Sequence, residues 1–354
     1  MNTGNPDLIR FVRAEIEKRG RVSFAWFMQQ ALYHPQHGYY SSGRCAIGRK
    51  GDYFTNVSVG PLFGRLLAAQ FTEIWERLGR PDDFVIVEQG AHDGRFAYDV
   101  LESMQKRTPE FFGALRYEIV EPLPILKERQ SRTLELFRDK IEWRDSLQPF
   151  VGVHFSNELL DAMPVRLISG GREKLVSIDG DRFVFVERPA DENVKSNEAA
   201  LDWIVCVLAN LQRGYVIAID YGHLGGEFHG HVEVRAQHRN LDSPFEQIGH
   251  ADITMGVDWT SVADWAQSNG LRVAGFTDQH HFLTGIVSES PDLTPESGAK
   301  IKRELQTLLH PEMLGRAFQV LALAKNVDPA APKLAGFKFA REPAAALALS
   351  DPSR

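Results

Sequence analysis

Two cysteines, Cys45 and Cys206, are all the chain has in 354 residues, and they match no metal-ligand or redox spacing. A disulfide framework and a cysteine-based zinc site are thereby excluded. No apolar run reaches the roughly 20 residues that cross a bilayer as a helix, so no membrane partner is expected. Basic residues are outnumbered: 40 Lys and Arg stand against 47 Asp and Glu, a net charge of −7. Without a broad basic surface, nucleic acid is not expected as a partner. The N-terminus carries Asp7, Glu15 and Glu17 and has no apolar h-region, so neither a signal peptide nor a basic presequence is expected there. Together with the scarce cysteines this predicts a reducing, cytoplasmic setting. Histidines gather in the second half (His223, His229, His231, His238, His250, His280, His281), but none falls in a zinc-binding spacing. No metal is expected.

What is present is an ordinary globular composition, 43% hydrophobic and 25% charged, with room for one large or two smaller domains. Residues 6–20 read as an amphipathic helix ending at Gly20, and 22–32 as a second with Ser23 as its cap. A longer apolar stripe runs through 60–79. From residue 84 strands and helices alternate: strand 84–88, helix 95–107, strand 115–120, helix 123–138, then strands 140–143, 151–156 and 215–219. Alternation of this kind predicts an α/β fold with a mostly parallel sheet covered by helices. Short antiparallel strands at 165–169, 174–178 and 182–187 and a helix at 198–212 interrupt it. Strands at 272–277 and 317–324 flank a helix at 295–308. The tail from Pro329 is rich in Pro and Ala and is expected to be loosely ordered.

The densest signal is the stretch from Phe84 to Gly94, in which an apolar run ends in Glu88, Gly90 and Gly94 and a helical pattern follows. A strand, a tight loop and a helix start form the place where a nucleotide-like ligand approaches the backbone of an open α/β sheet. His92 is unusual in such a loop. The three-glycine NAD fingerprint is missing, and the next acid comes too late for it. That acid is Glu121, at the end of the second strand, where it can accept from both hydroxyls of a ribose. Asp145 follows the third short strand and can accept from an adenine amino group, with Trp143 against the ring. Asn157, Glu158 and Asp161 follow the fourth strand, over the sheet's carboxyl edge. Two acids there can hold a guanidinium, which presents five donors in a fixed fork. Equally, Asn157 can cap a helix whose positive end favours the acids.

Taken in order, Gly51-Asp52-Tyr53-Phe54-Thr55, Pro61-Leu62-Phe63-Gly64, the Gly90 loop, Val120-Glu121-Pro122, the run from Asn157 to Pro164, Asp220-Tyr221-Gly222, Ala251-Asp252-Ile253-Thr254 with Val257-Asp258-Trp259, and the run from Gln279 to Leu283 resemble the MidA family of S-adenosylmethionine-dependent methyltransferases. Mitochondrial members of that family assist complex I assembly and methylate a protein arginine. The resemblance spans residues 7–325. It implies a seven-stranded, Rossmann-like class I methyltransferase core with an N-terminal helical segment and inserted β and helical elements. Residues 1–80 would cover the cofactor site. Residues 81–330 would form the core, with insertions at 165–213 and 223–258, and 331–354 the tail. By match to the family motifs, Glu88, Gly90, His92 and Gly94 would line the methionine part of S-adenosyl-L-methionine. Glu121 would hold the ribose, and Asp145 would lie near the adenine. Asp52, Tyr53 and Thr55 would fold back over the cofactor, while Asn157, Glu158 and Asp161 would face the acceptor. The acceptor expected is a protein with an exposed arginine or a small molecule, and a homodimer is compatible with this reading. A non-catalytic assembly protein on the same fold is the alternative. Two departures stand out: Ala91-His92 replaces the family's Pro-Gly, and Asn56-Val57-Ser58 replaces Ser-Pro-Glu.

Overall fold

The computed structural model describes residues 3–43, 55–192, 194–225, 232–237, 239–294 and 298–349. The chain divides into two compact units. One comprises residues 1–55, 160–202 and 226–257; the other comprises 56–159, 203–225 and 258–354.

The first unit is built on the helix Pro6–Arg19. Asn5 caps it by accepting from the Asp7 and Leu8 amides, and Gly20 ends it at φ +78°. The expected second helix starts two residues late. Val22–Ser23 first pairs antiparallel with the strand Arg172–Asp179, and Phe24–Tyr33 then turns helical with Ser23 Oγ accepting from Trp26 N at 3.1 Å. The pairing partner lies about 150 residues downstream, so no local pattern could announce it. Arg172–Asp179 also pairs with Leu167–Ser169 and Arg182–Pro189, and Glu233–Ala236 pairs with Asp252–Thr254. Leu8, Val12, Phe24, Phe27, Met28, Val176, Phe183 and Ile253 make one buried core.

The second unit holds a mixed sheet. Its path runs Arg272–Asp278, Phe318–Lys325, Leu211–His223, Phe150–Asn157, Phe84–Gln89, Leu115–Val120, Ile141–Arg144. The strands from Leu211–His223 to Ile141–Arg144 are parallel; Phe318–Lys325 is antiparallel to both its neighbours. Phe84, Val85, Ile86 and Val87 are all buried, as a central parallel strand covered on both faces requires. The amphipathic helices Leu62–Arg77 and Arg95–Arg107 supply part of that cover. Phe71 and Phe96 both lie on Phe155 of the sheet, Phe96 stacked with ring centroids 4.4 Å apart. From Phe84–Gln89 the strand order steps outward to Leu115–Val120 and Ile141–Arg144, then returns to Phe150–Asn157 on the other side. Such a reversal opens a crevice at the strands' carboxyl ends.

Two glycines let these strands approach. Gly152 pairs with Gly214, at φ +147° and +139°. A Cβ on Gly152 would stand 2.1 Å from the Val85 carbonyl oxygen. Gly152→Ala is therefore expected to destabilise the unit by at least about 3 kcal/mol, through strain and overpacking together. Gly113→Ala, whose Cβ meets nothing within 4 Å, serves as the control. Equal urea midpoints for the two variants would refute this.

After the last strand the chain is tied down by backbone capture. Glu73 accepts from Ala335 N, Gln70 accepts from Gly336 N, and Leu334 and Phe337 are buried.

Candidate active site

The crevice between Phe84–Gln89 and Phe150–Asn157 is the starting point. Beyond Gln89 the backbone enters the left-handed region three times, at Gly90 (φ +80°), His92 (φ +46°) and Gly94 (φ +80°). Glycine adopts this conformation freely, whereas at His92 it is uncommon and needs support. The helix Arg95–Arg107 begins directly afterwards. Below the loop, Gln89 Oε1 accepts from Trp203 Nε1 and from His154 Nε2, each at 2.8 Å. Burial lowers the His154 pKa to about 3, so its ring is neutral and fixed.

Glu88 is enclosed, and Tyr117 Oη donates to its Oε2 at 2.6 Å. Burial pushes its pKa to about 8; the Tyr117 bond opposes this and the Asp93 charge adds to it. Glu121 is also buried, at the carboxyl end of the adjacent strand. Its carboxylate accepts from Leu123 N and from Gln130 Nε2, both at 3.0 Å. Burial raises its pKa, and these two bonds oppose the rise. Asp145 stands exposed past Ile141–Arg144 in an ion pair with Lys127. His92 lies with Nδ1 3.8 Å from Asp93 Oδ1.

On the other side of the crevice, Asn56 Nδ2 donates to Asn157 Oδ1 at 3.0 Å, and Asn157 Nδ2 donates to Glu158 Oε1 at 2.9 Å. Glu158 sits at φ +54°, a left-handed conformation in a non-glycine residue. Buried Asp220 holds the residue that follows: one carboxylate oxygen accepts from Leu159 N at 3.1 Å, and the other accepts from its own neighbour Tyr221 N at 2.9 Å. The possible helix start at Asn157 is not what forms. Residues 158–163 make bends and turns, because Asp220 captures the Leu159 amide and Glu158 breaks the helical φ.

Asn157 and Glu158 are thus joined directly. Asp161 belongs to the first unit, where it is buried and its carbonyl accepts from Met255 N. Thr55 is buried in that unit as well, and Asp52 and Tyr53 lie outside the described residues. Gln130, Gln89, His154 and Asn56 had not been picked out by sequence as site residues. Only Asn56 left a trace, as a departure from a family motif.

A glycine-rich turn at the switch point, with an acid ending the neighbouring strand, is the arrangement at which open α/β proteins take nucleotide-like ligands. Comparison with known proteins narrows this. The sequence profile of a family of S-adenosyl-L-methionine-dependent methyltransferases matches residues 66–277. The chain is 26% identical to the mitochondrial protein arginine methyltransferase NDUFAF7 homolog of Drosophila melanogaster, over 92% of this chain and 86% of that protein. It is also 26% identical to mitochondrial NDUFAF7 of Homo sapiens, over 89% and 83%. A crystal structure of a Burkholderia thailandensis protein bound to S-adenosyl-homocysteine superposes with a TM-score of 0.86 at 27% identity, covering 97% of this chain and 99% of that one. The chain belongs to this MidA-type family of S-adenosyl-L-methionine-dependent methyltransferases. Its cofactor is S-adenosyl-L-methionine. The cytoplasmic setting expected from the sequence is corrected by the same comparison, since the curated relatives of fly, zebrafish and human are mitochondrial. Scarce cysteines and early acidic residues do not separate the two settings.

The donor set fits that cofactor. A carboxylate offers about four acceptor sites. Glu121 uses two on Leu123 and Gln130, leaving the number that the two hydroxyls of a ribose require.

Proposed function

We propose that this chain methylates an arginine nitrogen of a protein. The observation that carries the reading is the relay from Asn56 through Asn157 to Glu158, which fixes a carboxylate at the crevice's edge. The names of the curated relatives support it. S-adenosyl-L-methionine supplies a methyl group on a cationic sulfonium. The protein's own part is orientation, which is worth roughly 7–11 kcal/mol for well-aligned partners. Glu158, held by Asn157, is the carboxylate that fixes one guanidinium nitrogen by charge-assisted hydrogen bonds. We take Glu88, Gly90, His92 and Gly94 as the methionine side of the cofactor site, Glu121 as its ribose acceptor, and Asp145 with Trp143 as its adenine side. On the same reading, the seven strands of the main path form a class I methyltransferase core.

Methylation with radiolabelled cofactor on a lysate lacking this protein tests the function. Label in protein that hydrolyses to methylarginine is expected. Label confined to small molecules would replace arginine with a small acceptor.

A further inference from the structure

Gln130 is a fully buried amide in the helix Pro124–Thr133. Its Nε2 donates to Glu121 Oε2 at 3.0 Å and to the His92 carbonyl at 3.1 Å. Its Oε1 accepts from Trp143 Nε1 at 3.0 Å. The partners decide which way the amide faces, because an indole N–H only donates and a carbonyl only accepts. One side chain therefore joins the acid ending Leu115–Val120, the loop after Phe84–Gln89 and the aromatic on Ile141–Arg144.

We infer that Gln130 is the positioning residue of the cofactor site. It turns the Glu121 carboxylate so that its remaining acceptor sites meet a ribose, and it anchors His92 in the left-handed conformation. Both effects rest on the assignment of Glu121 to the ribose. Two further contacts agree. Leu123 N fixes the other Glu121 oxygen, so the carboxylate is held at both ends. The loop lies close on the same helix: a Cβ at Gly94 would stand 3.3 Å from Gln130 Cα and 3.0 Å from Leu134 Cδ1. His92 replaces a family glycine at a φ that glycine adopts without strain. A buried donor on its carbonyl is the support such a residue needs.

The test is calorimetric titration with S-adenosyl-homocysteine and with its 2′-deoxy analogue. Gln130→Met keeps length and removes the amide. It is expected to raise the Kd for S-adenosyl-homocysteine about tenfold or more, the scale of lost hydrogen bonds to a charged group. It should also shrink the preference over the deoxy analogue. A purely structural role would lower Tm and leave both Kd and that preference unchanged in the folded fraction, which would overturn the inference. Trp143→Phe keeps an aromatic ring and removes the N–H together with the rest of the indole, so lost packing on an adenine would weaken both ligands alike. Its preference over the deoxy analogue, which adenine packing does not touch, should shrink by less than in Gln130→Met, and an unchanged preference overturns the inference if Gln130→Met does not fold. Glu121→Ala separates the two levels. Unchanged affinity there would overturn the ribose assignment itself. Weakened binding in Glu121→Ala with wild-type behaviour in the Gln130 and Trp143 variants would overturn only the role of Gln130.

Discussion

Glu158→Gln is expected to lower turnover by about 100-fold or more and to leave cofactor affinity within about twofold, on the scale typical of positioned polar groups in catalysis. The substitution is nearly isosteric, and Gln Oε1 still accepts from Asn157 Nδ2, so the relay from Asn56 survives. What disappears is the negative charge. A guanidinium spreads its positive charge over three nitrogens and is a poor nucleophile in that state. A fixed carboxylate on one side holds the charge there and leaves electron density on the nitrogen that attacks. In the transfer one C–S bond breaks, one N–C bond forms and one proton leaves the guanidinium; Glu158 is the acceptor we assign for that proton. Its left-handed backbone (φ +54°) is stored strain of about 1–3 kcal/mol, maintained by the bond from the following Leu159 amide to buried Asp220. Steady-state rates and calorimetry on the same preparations give the two numbers. Wild-type turnover in a folded Glu158→Gln protein would remove Glu158 from the chemistry.

How much of this was readable in the sequence depends on the distance over which each feature is determined. The strand-loop-helix from Phe84 to Gly94 is local: an apolar run, then glycines, then an amphipathic stripe, and it folds as read. The position of Glu121 was legible because the end of an α/β strand is a fixed place. The helix Pro6–Arg19 also follows from nearby residues, with Asn5 and Gly20 at its two ends. Gln130 was not legible. Its neighbours Arg129 and Ser131 are unremarkable helix residues, and its importance comes from three partners on three other elements. The turn after Asn157 was misjudged as a possible helix start for a similar reason, since Asp220 arrives from a strand some 60 residues later. The shared core of the first unit gathers three separate stretches of chain, which no window of sequence reveals.

Glu88→Gln is expected to make the protein more stable above pH 8 than the wild type, by up to roughly 5 kcal/mol at about 1.4 kcal/mol per pKa unit. Glu88 is buried against Tyr117, and burial pushes its pKa to about 8 from the ordinary 4.5. Between those values the folded chain keeps a proton that the unfolded chain has released. Its contribution to stability is therefore full below pH 4.5 and is lost as pH rises through 8. His154 acts in the opposite sense. Burial lowers its pKa to about 3 from 6.5, so the unfolded chain takes up a proton first, and stability grows as pH rises from 3 to 6.5. In the wild type the two nearly cancel between pH 4.5 and 6.5, and Glu88 alone lowers stability from there to 8. In Glu88→Gln the rise to pH 6.5 stands alone and is followed by a plateau. Gln can still accept from Tyr117 Oη, so packing is preserved. Urea midpoints at pH 5, 6.5 and 8.5 should diverge steadily with pH, and parallel curves would show that Glu88 is ionised in the folded protein. The same proton links the fold to the cofactor. If Glu88 lines the methionine side, an ammonium beside it draws the carboxyl back toward ionisation. Binding near pH 7 then releases a proton from the wild type and none from Glu88→Gln, a difference that calorimetry in two buffers of unlike ionisation enthalpy resolves.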